Sequence, residues 1–193
     1  NRVVDLDTND YNVADSSFCT KKKIASVVLV ADCLPILIST ANGILVGSIH
    51  AGWRGLCSNI IENFIFNFEK KIYKLKKEIS PKREKVLSKF YPLYLWFGPC
   101  ISKKNYQIGY DVKKKFDDLG NNYTNYFYKI SKNKWLCDLK MIAFEMIKKK
   151  LGSKEKFEFL MDNRCTFDNS SFLYSYRKNK DIGRMTVLIW KNF

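Results

Sequence analysis

The sequence predicts an α/β fold, a single compact domain in which a mixed β-sheet is flanked by helices. Short apolar runs rich in β-branched residues, which are typical of buried strands, are interspersed with two longer segments of helical periodicity. These elements follow one another without a regular strand–helix–strand rhythm, which favours a mixed sheet over a purely parallel one. Because no internal repeat or Gly/Ser-rich linker divides the chain, residues 1–193 are expected to form one domain.

Seven strands and two helices are predicted in chain order. The strands are expected at residues 24–30, 34–38, 44–49, 91–97, 157–160, 172–176 and 185–190. The first helix, residues 56–75, carries a row of apolar side chains on one face, namely Ile61, Phe64, Ile65, Phe68, Ile72 and Leu75. The second helix, residues 139–151, is expected to end at Gly152.

The second and third of these strands are predicted to form a β-hairpin. A turn centred on Ala41 places Asp32 opposite His50 and leaves Cys33 beside it at the open end of the hairpin. Directly opposed residues have Cβ atoms about 4.5–5.5 Å apart. The only histidine of the chain is therefore expected within reach of a cysteine and an aspartate.

A thiol and an imidazole this close have three interpretations. Cys33 and His50 can share a zinc ion, or they can act as a thiolate nucleophile and its base. Asp32, the third candidate catalytic residue, is then placed to orient His50 or to accept a proton. The third interpretation is purely structural, a buried thiol beside a hydrogen-bonded histidine, and spacing alone leaves all three open.

The segment after His50 has the composition of an anion cradle. Gly52 and Gly55 allow the backbone to turn sharply and to approach a ligand closely. The start of the following helix offers free N–H groups, and Arg54 adds a planar guanidinium fork. A phosphate or carboxylate site is therefore predicted here. The alternative is a tight strand-to-helix turn in which Trp53 fills the core.

The net charge and the cysteines indicate which partners and which cellular compartment to expect. The net charge of +15 comes mostly from lysine in solvated runs such as residues 113–115 and 148–150, whereas readers of nucleic-acid bases rely on arginine forks. Nucleic acid is therefore not the expected partner. The six cysteines form no Cys-x-x-Cys pair and are interpreted as reduced thiols of a cytoplasmic protein.

The residues present also bear on membrane association, targeting and copper binding. No apolar run approaches the roughly 18 residues that a membrane helix needs, so no membrane partner is expected. The sequence starts at Asn1 rather than Met, which leaves an upstream targeting segment open. A single histidine argues against a multicopper centre, since such a centre takes many imidazole ligands.

Several motifs together resemble the YfiH-type proteins, also called the multicopper polyphenol oxidase (laccase) family and, more recently, purine nucleoside phosphorylases. The most specific are Ala-Asp-Cys-Leu-Pro at 31–35 and His-Ala-Gly-Trp-Arg-Gly at 50–55. Gln107 replaces the acidic residue that is usual for the family in its Tyr-Glu-Val-Gly element. The remaining matches, all in the family's order, lie at residues 14–15, 98–101, 106–109, 138–139, 165–166, 174–177 and 183–184.

The resemblance implies a fold like the catalytic domain of cytotoxic necrotizing factor toxins and a zinc ion held by His, Cys and His. Carried over by position, Cys33 is the cysteine ligand and His50 the second histidine ligand. Arg177, in the C-terminal signature, is expected to bind substrate together with Arg54, Gly52 and Gly55. Family members are assigned phosphorolysis of adenosine, inosine and methylthioadenosine, and adenosine deamination as a second activity. Bacterial relatives are also described as amidases that edit cell-wall precursors.

The family's first histidine ligand, in a Gln-x-His element, has no counterpart in the sequence. Residues 1–4 resemble the residues that directly follow that element, so the third ligand is expected a few residues upstream of Asn1. Two ligands fall short of the three or four that zinc takes in proteins. Residues 1–193 alone are therefore expected to bind zinc weakly or not at all.

The sequence thus favours a zinc-dependent purine nucleoside enzyme with two small-molecule partners, a nucleoside and phosphate. It would convert adenosine, inosine or methylthioadenosine to the base and ribose 1-phosphate, with adenosine deamination as an additional activity. One alternative is a cysteine hydrolase or amidase that uses Cys33 and His50. The other is a nucleoside-binding protein without turnover.

Overall fold

A computed structural model describes residues 2–8, 13–79, 90–120, 123–152, 156–169, 171–180 and 183–192. The strands are β1 (Val3–Asp5), β2 (Ser16–Cys19), β3 (Ala25–Val30), β4 (Leu34–Ser39), β5 (Val46–Ala51), β6 (Leu93–Phe97), β7 (Gln107–Gly109), β8 (Phe127–Ser131), β9 (Lys134–Cys137), β10 (Phe157–Met161) and β11 (Met185–Trp190). The helices are α1 (Trp53–Cys57), α2 (Ile60–Ile79), α3 (Tyr110–Asp117) and α4 (Leu139–Leu151), with a 3₁₀ turn at Thr124–Tyr126.

The central sheet has six strands in the order β1-β2-β5-β4-β6-β10. Its two outermost pairs, β1 with β2 and β10 with β6, are parallel, and the three inner pairs are antiparallel. β3 and β11 form a separate antiparallel ribbon that packs against β2 and β5, and β7, β9 and β8 form a small antiparallel sheet. The predicted α/β fold with a mixed sheet and flanking helices is confirmed.

The core lies between α2 and the central sheet. Of the predicted apolar face of α2, Leu75 is partly buried and the other five side chains are almost completely buried. The rings of Phe64 and Phe68 stack with centroids 5.3 Å apart, and both meet the ring of Phe18 from β2 edge-on at 5.9–6.0 Å. Helical periodicity in the sequence therefore identified the packing face correctly. In the described part of the chain, no helix is apolar over a length that would cross a membrane.

The predicted helix at 56–75 is two helices. Asn59, between α1 and α2, has φ +60°, a left-handed conformation that asparagine tolerates better than most residues. Its carbonyl accepts the hydrogen bond of the Asn63 N–H, at 3.0 Å, so it also starts α2. The glycine-rich segment is therefore not a loop before a helix, because α1 itself begins at Trp53 with Gly52 as its N-cap residue.

The predicted hairpin register is wrong by three residues. Pro35 lies opposite His50 and Ile38 opposite Gly47. The connection is longer than predicted because Thr40 closes a loop of its own: its N–H donates to the carbonyl of Leu45, and its hydroxyl accepts from the Leu45 N–H at 3.1 Å. Asp32 therefore does not face His50 across the hairpin.

The other predicted elements divide into two groups. The strands at 24–30, 34–38, 91–97, 157–160 and 185–190 and the helix at 139–151 are confirmed, with ends shifted by no more than two residues, and Gly152 has φ +82°. The strand at 44–49 begins two residues later and ends two residues later. The strand predicted at 172–176 is wrong: the N–H groups of Phe172 and Leu173 both donate to the carbonyl of Asn169, which makes this segment a turn.

Candidate functional site

The sequence motifs meet at one edge of the central sheet. β4 starts directly after Cys33 and pairs with the end of β5, which carries His50. β6 and β10 end at the same edge, since Phe97 lies opposite Ile36 of β4 and Met161 of β10. The end of β3 and the start of β11 are paired in the adjoining ribbon. Residues far apart in sequence are thereby collected around the Cys33 loop.

Cys33 and His50 share a space that is kept open by Gly52. A Cβ atom at Gly52 would lie 2.8 Å from the Cys33 Sγ and 3.7 Å from the His50 Nε2. Any side chain here would displace the thiol, so this close approach depends on glycine at position 52. The structure brings the thiol and the imidazole together, although through the ends of the two strands rather than through cross-strand pairing.

Electrostatics keep both groups of this pair uncharged near neutral pH. Burial raises the pKa of the Cys33 thiol to about 11, and Asp32 raises it further while Arg184 and Arg54 oppose the shift. Burial also lowers the pKa of His50, against the opposing charge of Asp15. A thiol with so high a pKa is a poor nucleophile. A thiol that loses its proton on metal binding and a neutral imidazole are the sulfur and nitrogen donors that zinc prefers.

The donor set within the described residues consists of these two groups. No cluster of three or more His, Cys, Asp or Glu side chains suited to a metal ion occurs among them. The backbone N–H of His50 donates a hydrogen bond to the carbonyl of Asp15 at 2.7 Å. The Asp15 N–H in turn donates to the carbonyl of Arg2 at 3.2 Å, so the chain around Arg2 runs at the same edge of the sheet.

Asp32 is bonded to other partners than predicted. Its Oδ1 accepts a hydrogen bond from the Thr166 hydroxyl at 2.6 Å, and its Oδ2 accepts one from the Arg177 N–H at 2.6 Å. Its carbonyl accepts the N–H of Ile101 at 3.0 Å. The sequence placed Asp32 to orient His50. In the structure its carboxylate instead faces the C-terminal segments that carry Thr166 and Arg177.

Two arginines act on Cys33, and a third, Arg177, is held against Tyr106. The Arg54 guanidinium lies 4.4 Å from the centre of the Trp53 ring. Arg177 donates from Nη1 to the carbonyl of Gln107 at 2.9 Å and lies 5.3 Å from the centre of the Tyr106 ring. The positive charges of Arg54 and Arg184 both act on Cys33, and those of Arg177 and Arg54 on Tyr106. These arginines favour an anionic ligand, whereas Asp32 and Asp15 contribute negative charge next to Cys33 and His50.

A cleft of about 450 Å³ opens beside Arg54, between α1 and α3. This volume is in the range of small-molecule binding sites. Gly55 lies within α1, where its carbonyl accepts from the Ser58 N–H, and it does not line the cleft. The lining residues are Trp53, Arg54, Cys57, Ser58, Lys115, Asp118 and Leu119.

Sequence reasoning did not assign a role to three residues that the structure places at the site. Thr166 is completely buried against Asp32, and Arg184 acts on Cys33. Tyr106 is buried, and its pKa is raised by burial and by the neighbouring Cys137 and Cys33. All three belong to short motifs matched with the family, which is the one signal in the sequence that points to them.

The chain has recognisable relatives over nearly its whole length. Residues 1–192 match the family model described as multi-copper polyphenol oxidoreductase laccase. A purine nucleoside phosphorylase of Haemophilus influenzae is 32% identical over 192 residues, covering 98% of this chain and 70% of that protein. The purine nucleoside phosphorylase YfiH of Escherichia coli is 27% identical over 177 residues, covering 92% and 63%.

Solved structures of other proteins have a similar fold. A DUF152-family protein of Neisseria meningitidis superposes with a TM-score of 0.74 at 28% identity, covering 93% of this chain and 65% of that one. YlmD of Geobacillus stearothermophilus, at 21% identity, shares the fold with a TM-score of 0.72, covering 93% and 61%. The chain therefore spans about two thirds of the length of the relatives it matches. On the strength of the match over residues 1–192, the chain belongs to the multi-copper polyphenol oxidoreductase laccase family.

Proposed function

We propose that the protein is a purine nucleoside phosphorylase. In this reaction the bond between the purine nitrogen and ribose C1′ breaks, a phosphate oxygen bonds to C1′, and the base leaves with a proton. The observation that carries the proposal is the meeting of the Cys33 Sγ and the His50 Nε2 over Gly52, beside Arg54. The relatives named purine nucleoside phosphorylases support it. Adenosine, inosine and methylthioadenosine are the proposed substrates, with adenosine deamination as a second activity.

A zinc ion fits the donors at this site better than copper does. Cys33 and His50 supply a sulfur and a nitrogen donor, and Gly52 leaves room at both. A multicopper centre does not fit a chain with one histidine, whatever the family's name implies. When bound, zinc would supply Lewis-acid activation of an oxygen atom in the site.

We propose a histidine preceding Asn1 in the natural protein as the third ligand. The order of the chains at this edge supports it: Arg2 lies beside Asp15, which lies beside His50, in consecutive hydrogen-bonded strand ends. β1 begins next to this edge and runs away from it, parallel to β2.

Arg54 is the proposed phosphate ligand of the chain. It lines the cleft between α1 and α3, and its charge reaches Cys33. Among the described residues, no carboxylate lies within ion-pair distance of Arg54, so its fork is available to a dianion. Arg177, held over Tyr106, is proposed as the second substrate-binding arginine.

A cysteine hydrolase is less well supported. Such an enzyme needs a readily formed thiolate, whereas burial raises the pKa of Cys33 to about 11. Iodoacetamide distinguishes the two: the proposal expects slow labelling of Cys33 without metal and protection with zinc. Fast labelling of Cys33 at neutral pH would favour the hydrolase.

The proposed function is tested with the full-length gene product loaded with zinc. Adenosine or inosine is incubated with and without phosphate, and the base and ribose 1-phosphate are separated by chromatography. The proposal expects base release that requires phosphate, and deamination of adenosine that does not. Nucleoside binding without base release at any phosphate concentration would refute the phosphorylase proposal and show that the protein binds nucleosides without turnover.

A further inference from the structure

A buried hydrogen-bonded link joins the Cys33 loop to the segment that carries Arg177. Asp32 is 8% exposed and Thr166 is fully buried. One oxygen of the Asp32 carboxylate accepts a hydrogen bond from the Thr166 hydroxyl, and the other accepts one from the backbone N–H of Arg177, both at 2.6 Å. The three residues come from the β3–β4 connection, the turn after β10 and the loop before β11, so one side chain ties three remote segments together.

The conformation of Asp32 is uncommon and is held by this link. Its φ of +79° lies in the left-handed region, which most side chains avoid and which aspartate and asparagine adopt more readily. A buried carboxylate is also unfavourable unless it is hydrogen-bonded. Such conformations persist where the surroundings over-determine them and are frequent at functional sites. Here the turn sends the carboxylate toward Thr166 while the next residue, Cys33, places its thiol against Gly52.

Arg177 is held at both of its ends. Asp32 fixes its backbone N–H, and the carbonyl of Gln107 and the ring of Tyr106 hold its guanidinium. Tyr106 in turn lies close enough to Cys33 and Arg54 for their charges to act on it. The loop around Arg177 is exposed at most positions apart from the buried Ser175, and the Asp32 bond ties it to the β3–β4 connection.

We propose that Asp32 and Thr166 are positioning residues that hold Arg177 in place to bind the phosphate substrate beside the Cys33–His50 pair. This inference rests on the proposed function for the identity of the anion. It assigns Asp32 a structural action on a binding residue instead of proton transfer. Thr166 acts through Asp32 and touches neither the substrate nor the metal donors.

The test compares two threonine–aspartate bonds in one molecule. Thr166→Val removes the hydroxyl at nearly constant volume, and Thr166→Ser retains it. Thr20→Val is the matched control, because the Thr20 hydroxyl donates to the Asp7 carboxylate at 2.7 Å far from the site. Loss of one charge-assisted hydrogen bond should change the affinity that depends on it about tenfold.

Phosphate affinity and hydrogen exchange are measured for each zinc-loaded full-length variant. Thr166→Val should raise the KM for phosphate about tenfold, leave the KM for nucleoside within about twofold and speed exchange of the Arg177 amide. Thr166→Ser should restore all three values, and Thr20→Val should lower the melting temperature without moving them. Equal phosphate KM in Thr166→Val and Thr20→Val would overturn the inference.

Failure of the proposed function is distinguishable from failure of the link. If the wild-type protein turns over no nucleoside, direct titration with inorganic phosphate replaces KM. Weaker phosphate binding and faster Arg177 exchange in Thr166→Val would then still support the positioning role. Faster exchange with unchanged phosphate binding would show a purely structural bond and refute it.

Discussion

Beneath α2 the protein buries phenylalanine rings, whereas at the edge that carries the partly buried Cys33 it buries a carboxylate and a hydroxyl. Phe64 and Phe68 are fully buried in ordinary helical geometry. Asp32, by contrast, is buried with φ +79°, and Gly52 approaches the Cys33 Sγ more closely than any side chain could. The first region stabilises the fold through apolar burial. The second gives up conformational freedom to place a few polar atoms, as binding and catalytic sites do.

The largest effect on stability is expected in the first region. Phe64→Ala should lower the free energy of unfolding by about 3–5 kcal/mol, because the ring is fully buried and stacked on Phe68. Turnover and metal content per folded molecule should not change. Urea denaturation followed by circular dichroism measures the first, and a loss under 1 kcal/mol would show that the core repacks.

Gly52→Ala should affect the metal site as well as the stability of the fold. The new Cβ would lie 2.8 Å from the Cys33 Sγ and force the thiol aside, so zinc affinity of the full-length protein should fall about 10–100-fold. The unfolding free energy should fall by about 1–3 kcal/mol, less than for Phe64→Ala, because the added Cβ overpacks a buried position.

Gly43→Ala is the matched control for this substitution. Gly43 has φ +65° and open space around its Cβ position, so alanine there should cost roughly 1–2 kcal/mol of stability and leave zinc affinity unchanged. Equal zinc affinity in the two variants would contradict the close packing of Gly52 against the thiol.

A smaller effect is expected where β1 meets α2. The Lys71 Nζ lies 2.9 Å from Asp5 and 2.7 Å from Asp7. Burial alone would raise the pKa of Asp7, but hydrogen bonds from Lys71 and Thr20 outweigh it and lower the pKa below its usual value. The stabilisation is therefore present above the unfolded pKa of about 4 and is lost as the pH falls through the folded value.

Lys71→Met should accordingly cost roughly 1–2 kcal/mol at pH 7. The difference from wild type should shrink as the pH is lowered from 5 to about 3. Lys70→Met, a change at the exposed neighbouring lysine, should have little effect at either pH. Urea midpoints at several pH values provide the measurement, and a difference that is constant with pH would refute the linkage.

The same contrast explains what the sequence predicts well. Apolar periodicity is local, so the buried face of α2 and the bounds of α4 and β11 follow from it directly. β7, β8 and β9 are only three to five residues long, which is too short for a clear periodic signal. The left-handed Asn59 that divides α1 from α2 falls inside an otherwise helical pattern.

The site depends on long-range contacts that no local pattern contains. Asp32 meets Thr166 across 134 residues and Arg177 across 145. The approach of Cys33 to His50 was predicted from a register that is wrong by three residues. The approach holds because both residues lie at strand ends that converge on Gly52, and the family motifs alone indicated that these ends matter.

Cobalt absorption tests directly whether Cys33 is a metal ligand, as the proposed zinc site with His50 requires. Full-length protein is titrated with Co²⁺, and the thiolate-to-metal charge-transfer absorption is recorded for wild type, Cys33→Ser and Cys57→Ser. Cys57 is the matched control, since it is also partly buried with a pKa raised to about 11. We expect the absorption in wild type and Cys57→Ser and its loss in Cys33→Ser. Full absorption in Cys33→Ser would contradict it.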